Sequence, residues 1–160
     1  MYERIVVALD GSEVAERVLT YVEPLAEKFG AAVSLVRATA PLESGPAAQV
    51  AMESGGTIDP VPLVEAERRE AAEYLERVVD RLRARGLSVT AAQPEGAAAE
   101  SIVEHARGAR ADLIAMTTHG RSGLGRLVLG SVADAVMRNA ACPVLLVRVS
   151  EETRGWPGIG

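Results

Sequence analysis

Leu113-Ile114-Ala115-Met116-Thr117-Thr118-His119-Gly120-Arg121-Ser122-Gly123-Leu124-Gly125-Arg126-Leu127-Val128-Leu129-Gly130-Ser131 runs from an apolar strand-like segment through a glycine-dense turn into helical spacing that starts at Ser131. Glycine lacks a Cβ and tolerates positive φ, so such a passage lets backbone approach a bulky anion closely. The helix that follows brings unpaired N–H groups and a partial positive charge to the same place. The stretch therefore predicts a phosphate-binding turn between a strand and a helix. Arg121 and Arg126 flank the glycines, where they could pair with phosphate oxygens or serve as plain surface charges. Ser131 is the candidate N-cap, with a hydroxyl that would share the helix N–H groups with an anion, and Gly130 lets the chain turn. His119 could bond a phosphate or stack near a base, or be simply exposed; no second His, Cys or carboxylate cluster beside it suggests a metal.

Upstream, Ile5-Val6-Val7-Ala8-Leu9 is a short continuous apolar run of the kind a parallel sheet buries on both faces. It ends in the turn signal Asp10-Gly11-Ser12, where Ser12 can cap the next helix and Asp10 can either accept from ribose hydroxyls or bond its own turn. Val14, Val18, Val22, Leu25 and Phe29 then recur at helical spacing, and Gly30 stops the helix. Pro24 sits inside it and predicts a kink or local break there. A second strand spans 33–38, a Pro/Gly/Ala/Ser-rich insert fills 39–62 with a short helix at 47–53, and a long helix follows over 63–85 with Val64, Ala71, Leu75, Val78, Val79 and Leu82 inward. Strands at 87–92, 112–116 and 144–149 alternate with helices at 97–107 and 131–139; in the last of these Val132, Val136 and Met137 are placed toward the sheet. His105 reads as a surface residue. Alternation of this kind means an α/β layer fold with a parallel sheet, whose ligands sit at strand carboxyl ends.

The chain has 160 residues, 48% of them hydrophobic and 24% charged, with a net charge of -5, which suits one globular domain. A mean hydropathy of +0.12 favours a well-buried globule, and the net charge with a pI near 5.1 argues against a general nucleic-acid or anionic-membrane binder. The single Cys142 is expected in a buried strand mouth and a reducing compartment, and no signal or spanning segment is visible, so the expectation is cytoplasmic. No Ser/His/Asp set is evident, and no lysine in the glycine turn matches a P-loop, so the residues favour binding over turnover.

These residues resemble the universal stress protein family. Ile5 to Ser12, Met116 to Ser131, Val132-Ala133-Asp134-Ala135-Val136 and Cys142-Pro143-Val144-Leu145-Leu146-Val147 match, in order and spacing, its opening strand, its Gly-x2-Gly-x9-Gly-Ser/Thr motif and the helix and strand after it. The resemblance spans Met1 to Val149. It implies a single-domain, Rossmann-like open five-stranded parallel sheet, similar to the adenine nucleotide alpha-hydrolase group, with strand order 3-2-1-4-5 over 1–149 and a tail at 150–160. It implies ATP or a related adenine nucleotide, with Mg as a candidate companion. Adenine would lie near Leu9 and Ala38, ribose near Asp10, and phosphates against Gly120, Gly130, Ser131 and Val132; Met116, Thr117, His119 and Arg121 complete the candidate set. It also implies a homodimer through strand 144–149, with a further protein partner unnamed and no role for nucleic acid or membrane. Thr117 stands where the motif has its first glycine, and a β-branched residue is unfavourable if that position needs positive φ. The leading expectation is a nucleotide-dependent stress sensor or regulator, the alternative a nucleotide-independent dimeric interaction module, and the least favoured a slow ATPase.

Overall fold

The computed structural model describes residues 1–43, 45–118 and 129–148. Along them run β1 (Arg4–Ala8), α1 (Glu13–Glu16), α2 (Leu19–Phe29), β2 (Ala32–Val36), α3 (Pro46–Glu53), α4 (Val61–Arg83), β3 (Val89–Ala92), α5 (Ala98–Gly108), β4 (Leu113–Thr117), α6 (Ser131–Asn139) and β5 (Val144–Val147). The strands form one sheet in the order β3-β2-β1-β4-β5, and every pairing is parallel. Fold class and strand order are those the sequence implied.

The apolar runs explain the layering. Side chains alternate across a strand, so an unbroken apolar run needs cover on both faces. Ile5, Val7 and Leu9 pack with Val18, Leu19, Val22, Leu75, Val78 and Leu82 beneath α2 and α4. Val6, Ala8, Ile114 and Met116 pack on the opposite face with Ile102, Val103, Ala106, Ala133 and Val136 of α5 and α6. Ile5, Leu35 and Ile114 are wholly removed from water. Burial of each such side chain contributes about 1.5–3 kcal/mol, which makes this double core the main support of the sheet.

Several local expectations shift. The interruption expected at Pro24 falls at Arg17 and Val18, where three-residue hydrogen bonds to Val14 and Ala15 separate α1 from α2. Pro24 stays inside α2 because it and Thr20, whose carbonyl it cannot serve, both lie on the exposed face, where water can take the freed oxygen. Phe29 is 39% exposed and makes an edge-on contact with Tyr2 rather than joining the core. Gly30 closes α2 at φ 63, a left-handed conformation that leaves few alternatives to glycine. Within the insert, α3 packs on α4 and Thr39 bridges to Glu95, so the segment carries more structure than its composition implied. Met137 is 47% exposed, and Ala133 takes the inward position beside Val136. Val149 and the 150–160 tail, with Trp156, lie outside the described residues.

Candidate functional site

The carboxyl ends of β1, β2 and β4 and the start of α6 enclose a cleft of about 390 Å³. Ala8, Leu9 and Asp10 come from β1, Arg37 and Ala38 from the end of β2, Met116, Thr117 and Thr118 from β4, and Gly130, Ser131, Val132 and Ala133 from α6. Ala15, Glu67, Ala98 and Ile102 complete the walls from the covering helices. The sheet order reverses between β1 and β4, and open α/β sheets leave their crevice at that reversal because successive crossovers there pass to opposite faces.

The structure brings together every described residue of the sequence-derived set: Leu9, Asp10, Ala38, Met116, Thr117, Gly130, Ser131 and Val132 all line this cleft. His119, Gly120 and Arg121 lie outside the described residues, as do Gly123, Gly125 and Arg126. Asp10 lines the cleft and also bonds its own turn. Its Oδ1 accepts from the Ser12 amide at 2.9 Å and from Ser12 Oγ at 2.6 Å, while Ser12 Oγ caps α1 by accepting from Ala15 N at 3.1 Å. The turn bond therefore fixes the carboxylate on the cleft rim instead of removing it from the site.

Thr117 is an ordinary strand residue. It ends β4 in register with Val147, is 6% exposed, and Arg110 is the one non-glycine with positive φ among the described residues. The conformational objection to a β-branched residue there disappears, because the backbone is extended. Gly130 likewise has φ -61 and ψ 149, which any residue adopts, so its backbone conformation does not require glycine. Its amide donates to the Thr118 carbonyl at 2.9 Å and the Thr118 amide to Val147 at 3.0 Å, which pins the two ends of the glycine-rich segment to the sheet.

The N-cap of α6 is Gly130, not Ser131. Gly130 has the extended cap conformation and its carbonyl accepts from Asp134 N at 2.9 Å, which makes Ser131 the first helical residue. Among the described residues no side chain caps this helix. Its first N–H groups consequently face the cleft end without an internal acceptor, the arrangement that receives anions.

Sequence reasoning missed Arg37. This side chain is only 5% exposed, paired through both Nη atoms with Glu70, and its guanidinium carbon stands 5.3 Å from the centre of the Tyr74 ring. The available signal was a charge at the end of an apolar strand run, a position that reads as the strand leaving the core. Tyr74 lies beneath it, and burial first, then the Glu16 and Asp10 carboxylates, hold its phenol well above the ordinary value of 10. Its buried oxygen reaches no partner at hydrogen-bonding geometry, Glu16 included. His105 is not a free surface residue: its Nε2 lies 2.8 Å from Ser34 Oγ, and burial lowers its pKa. Cys142 is half-buried, with burial pushing its thiol up. Among the described residues no group of three His, Cys, Asp or Glu could hold a metal, and no helix is long and apolar enough to cross a membrane.

Sheet, cleft and helix N-terminus together define an open α/β protein with its cleft at the switch point of the strand order. More particularly, the chain belongs to the universal stress protein family, whose model matches residues 1–148. It is 33% identical over 148 residues to a universal stress protein of Methanocaldococcus jannaschii, covering 92% of this chain and 83% of that one. A universal stress protein of Archaeoglobus fulgidus solved in complex with dAMP is similar with TM-score 0.62 and 26% identity, over 91% of this chain and 97% of the other. A universal stress protein solved in complex with cAMP is similar with TM-score 0.63 and 25% identity, over 93% and 98%.

Proposed function

We propose that this protein binds an adenine nucleotide, ATP or a related one, in the switch-point cleft, and that occupancy sets the state of the glycine-rich segment and the 39–62 insert. The observation that carries the reading is the convergence of Asp10, Thr117, Gly130, Ser131 and Val132, distant in sequence, on one cleft with an uncapped helix N-terminus. The volume lies in the ~300–1,000 Å³ range of small-molecule sites, and the walls combine apolar side chains with a few polar groups. Relatives solved with dAMP and cAMP support the ligand class. Asp10 and Glu67 are the carboxylates among the described lining residues, too few for a dedicated cage, so Mg²⁺ would arrive on the nucleotide phosphates.

In this reading the protein is a cytoplasmic stress-response sensor or regulator and not an enzyme. It works as a homodimer through β5, which stands at the sheet edge with Val144, Leu145 and Leu146 half-buried. Calorimetric titration with ATP, ADP, AMP, cAMP and dAMP tests the ligand directly. The expected result is saturable binding and a stabilisation of about 2.7 kcal/mol at ~100-fold excess over the Kd. Absence of heat and of thermal shift at millimolar nucleotide would leave the nucleotide-independent module as the function.

A further inference from the structure

The α4 side of the cleft holds a feature that nucleotide binding in general does not require. Arg37 is 5% exposed and lines the cleft. Its Nη1 donates to Glu70 Oε1 at 3.2 Å and its Nη2 to Glu70 Oε2 at 2.6 Å. Those bonds use only part of the guanidinium fork; Nε–H and one N–H on each Nη have no partner among the described residues. Tyr74 Oη and Asp112 Oδ1 are the fully buried side-chain atoms without a partner among the described residues, so the open N–H groups of Arg37 keep contact with the cleft solvent and can exchange it for a ligand atom with a lone pair. The fork is also held still: Glu70 grips it from one side and the Tyr74 ring packs on it at 5.3 Å.

The charges say which kind of acceptor belongs there. Glu70 neutralises Arg37, and the other charged residues among the described lining, Asp10 and Glu67, are acidic. A phosphate would be repelled from this side of the cleft. It would be welcomed at the α6 N-terminus, which follows β4, on the other side of β1 from β2. An elongated ligand therefore lies with its anionic end at α6 and an uncharged, lone-pair-bearing edge at Arg37.

We propose that Arg37 is a specificity-determining residue, held by Glu70 and Tyr74 so that its free N–H groups donate to a ring nitrogen of the purine base and thereby select the base and not the phosphates. This rests on the nucleotide reading above. The test titrates the full chain and its Arg37→Met variant with ATP, adenosine, inorganic tripolyphosphate and the 1-, 3- and 7-deaza analogues of adenosine. Loss of the base hydrogen bond is expected to weaken ATP and adenosine by the same factor, about tenfold or more, and to leave tripolyphosphate unchanged. One deaza analogue should be weakened similarly on the native protein and bind the variant as adenosine does.

Three results would overturn the assignment: tripolyphosphate weakened as much as ATP, adenosine unaffected by Arg37→Met, or all deaza analogues equal to adenosine on the native protein. The last needs only the native chain, so it decides the matter even if the variant does not fold. Native protein that binds neither ATP nor adenosine removes the nucleotide reading itself. Native binding with no dependence on Arg37 or on a ring nitrogen removes this inference alone.

Discussion

Gly130→Asp should make the protein more stable and a worse nucleotide binder at once. The N-cap position has φ -61 and ψ 149, so aspartate enters without backbone strain, and no side chain among the described residues now caps α6. An aspartate there accepts from the N–H groups of the first turn and adds a negative charge at the positive end of the helix dipole. Glycine is already a tolerable cap, so the capping gain is a few tenths of a kcal/mol, and the dipole adds about 0.3–1 kcal/mol. Asp134 already lies in the first turn, bonded to Arg138 at 2.9 Å, and takes part of that benefit. A net gain of about 0.5–1 kcal/mol corresponds to a Tm rise of roughly 1–4 °C for a chain of this size.

The same carboxylate would occupy the donors proposed to receive phosphate and would repel it. A unit-charge pair at about 4 Å and an effective dielectric near 20 costs about 4 kcal/mol, and exposure at Ser131 reduces that to about half, still more than tenfold in affinity. Gly130→Asn provides the comparison, since it caps without the charge and should weaken binding less. Thermal unfolding of the apo protein and calorimetry with ATP read the two effects separately. An aspartate variant that gains stability yet binds ATP within twofold of native would refute the placement of the anion at α6.

Thr117→Gly restores the motif glycine but removes a buried strand residue, so the expected outcome is about 1 kcal/mol less stability by urea unfolding and no gain in nucleotide affinity; tighter binding would show that the position limits the ligand. His105 has a folded-state pKa below its ordinary 6.5, so the unfolded chain takes up the proton first and stability present above that value is lost as pH falls toward the folded pKa. Replacing it in His105→Gln should flatten the pH dependence of unfolding below pH 6.5, and a slope unchanged from native would mean that other groups produce it.

Much of the site was legible because its residues sit at the junctions that sequence marks best. Asp10 follows an apolar strand and precedes a capping serine, and Gly130-Ser131 opens a helix, so the position of each relative to a strand or helix end is a local matter. The errors were also local but involved competition. Ser131 has the better capping side chain, yet the cap is the residue with extended backbone, and Gly130 holds that place because its amide is tied to Thr118. Pro24 announced a break that solvent exposure of Thr20 made unnecessary. The suspicion attached to Thr117 came from treating a motif glycine as a demand for positive φ, whereas the backbone there is a strand.

The sequence by itself determined the five strands, the burial of β1 and β4 on both faces, the helix that ends at Gly30, and the motif residues at strand and helix ends. Those properties are set by backbone sterics and by the period of apolar side chains, which act over a few residues. Tertiary structure alone decided that Arg37 meets Glu70, that Tyr74 lies against it, and that Ser34 faces His105. Each of those pairings joins one strand to a helix packed on it from far along the chain. The environment of a buried polar group belongs to whichever surface closes over it, and packing chooses that surface.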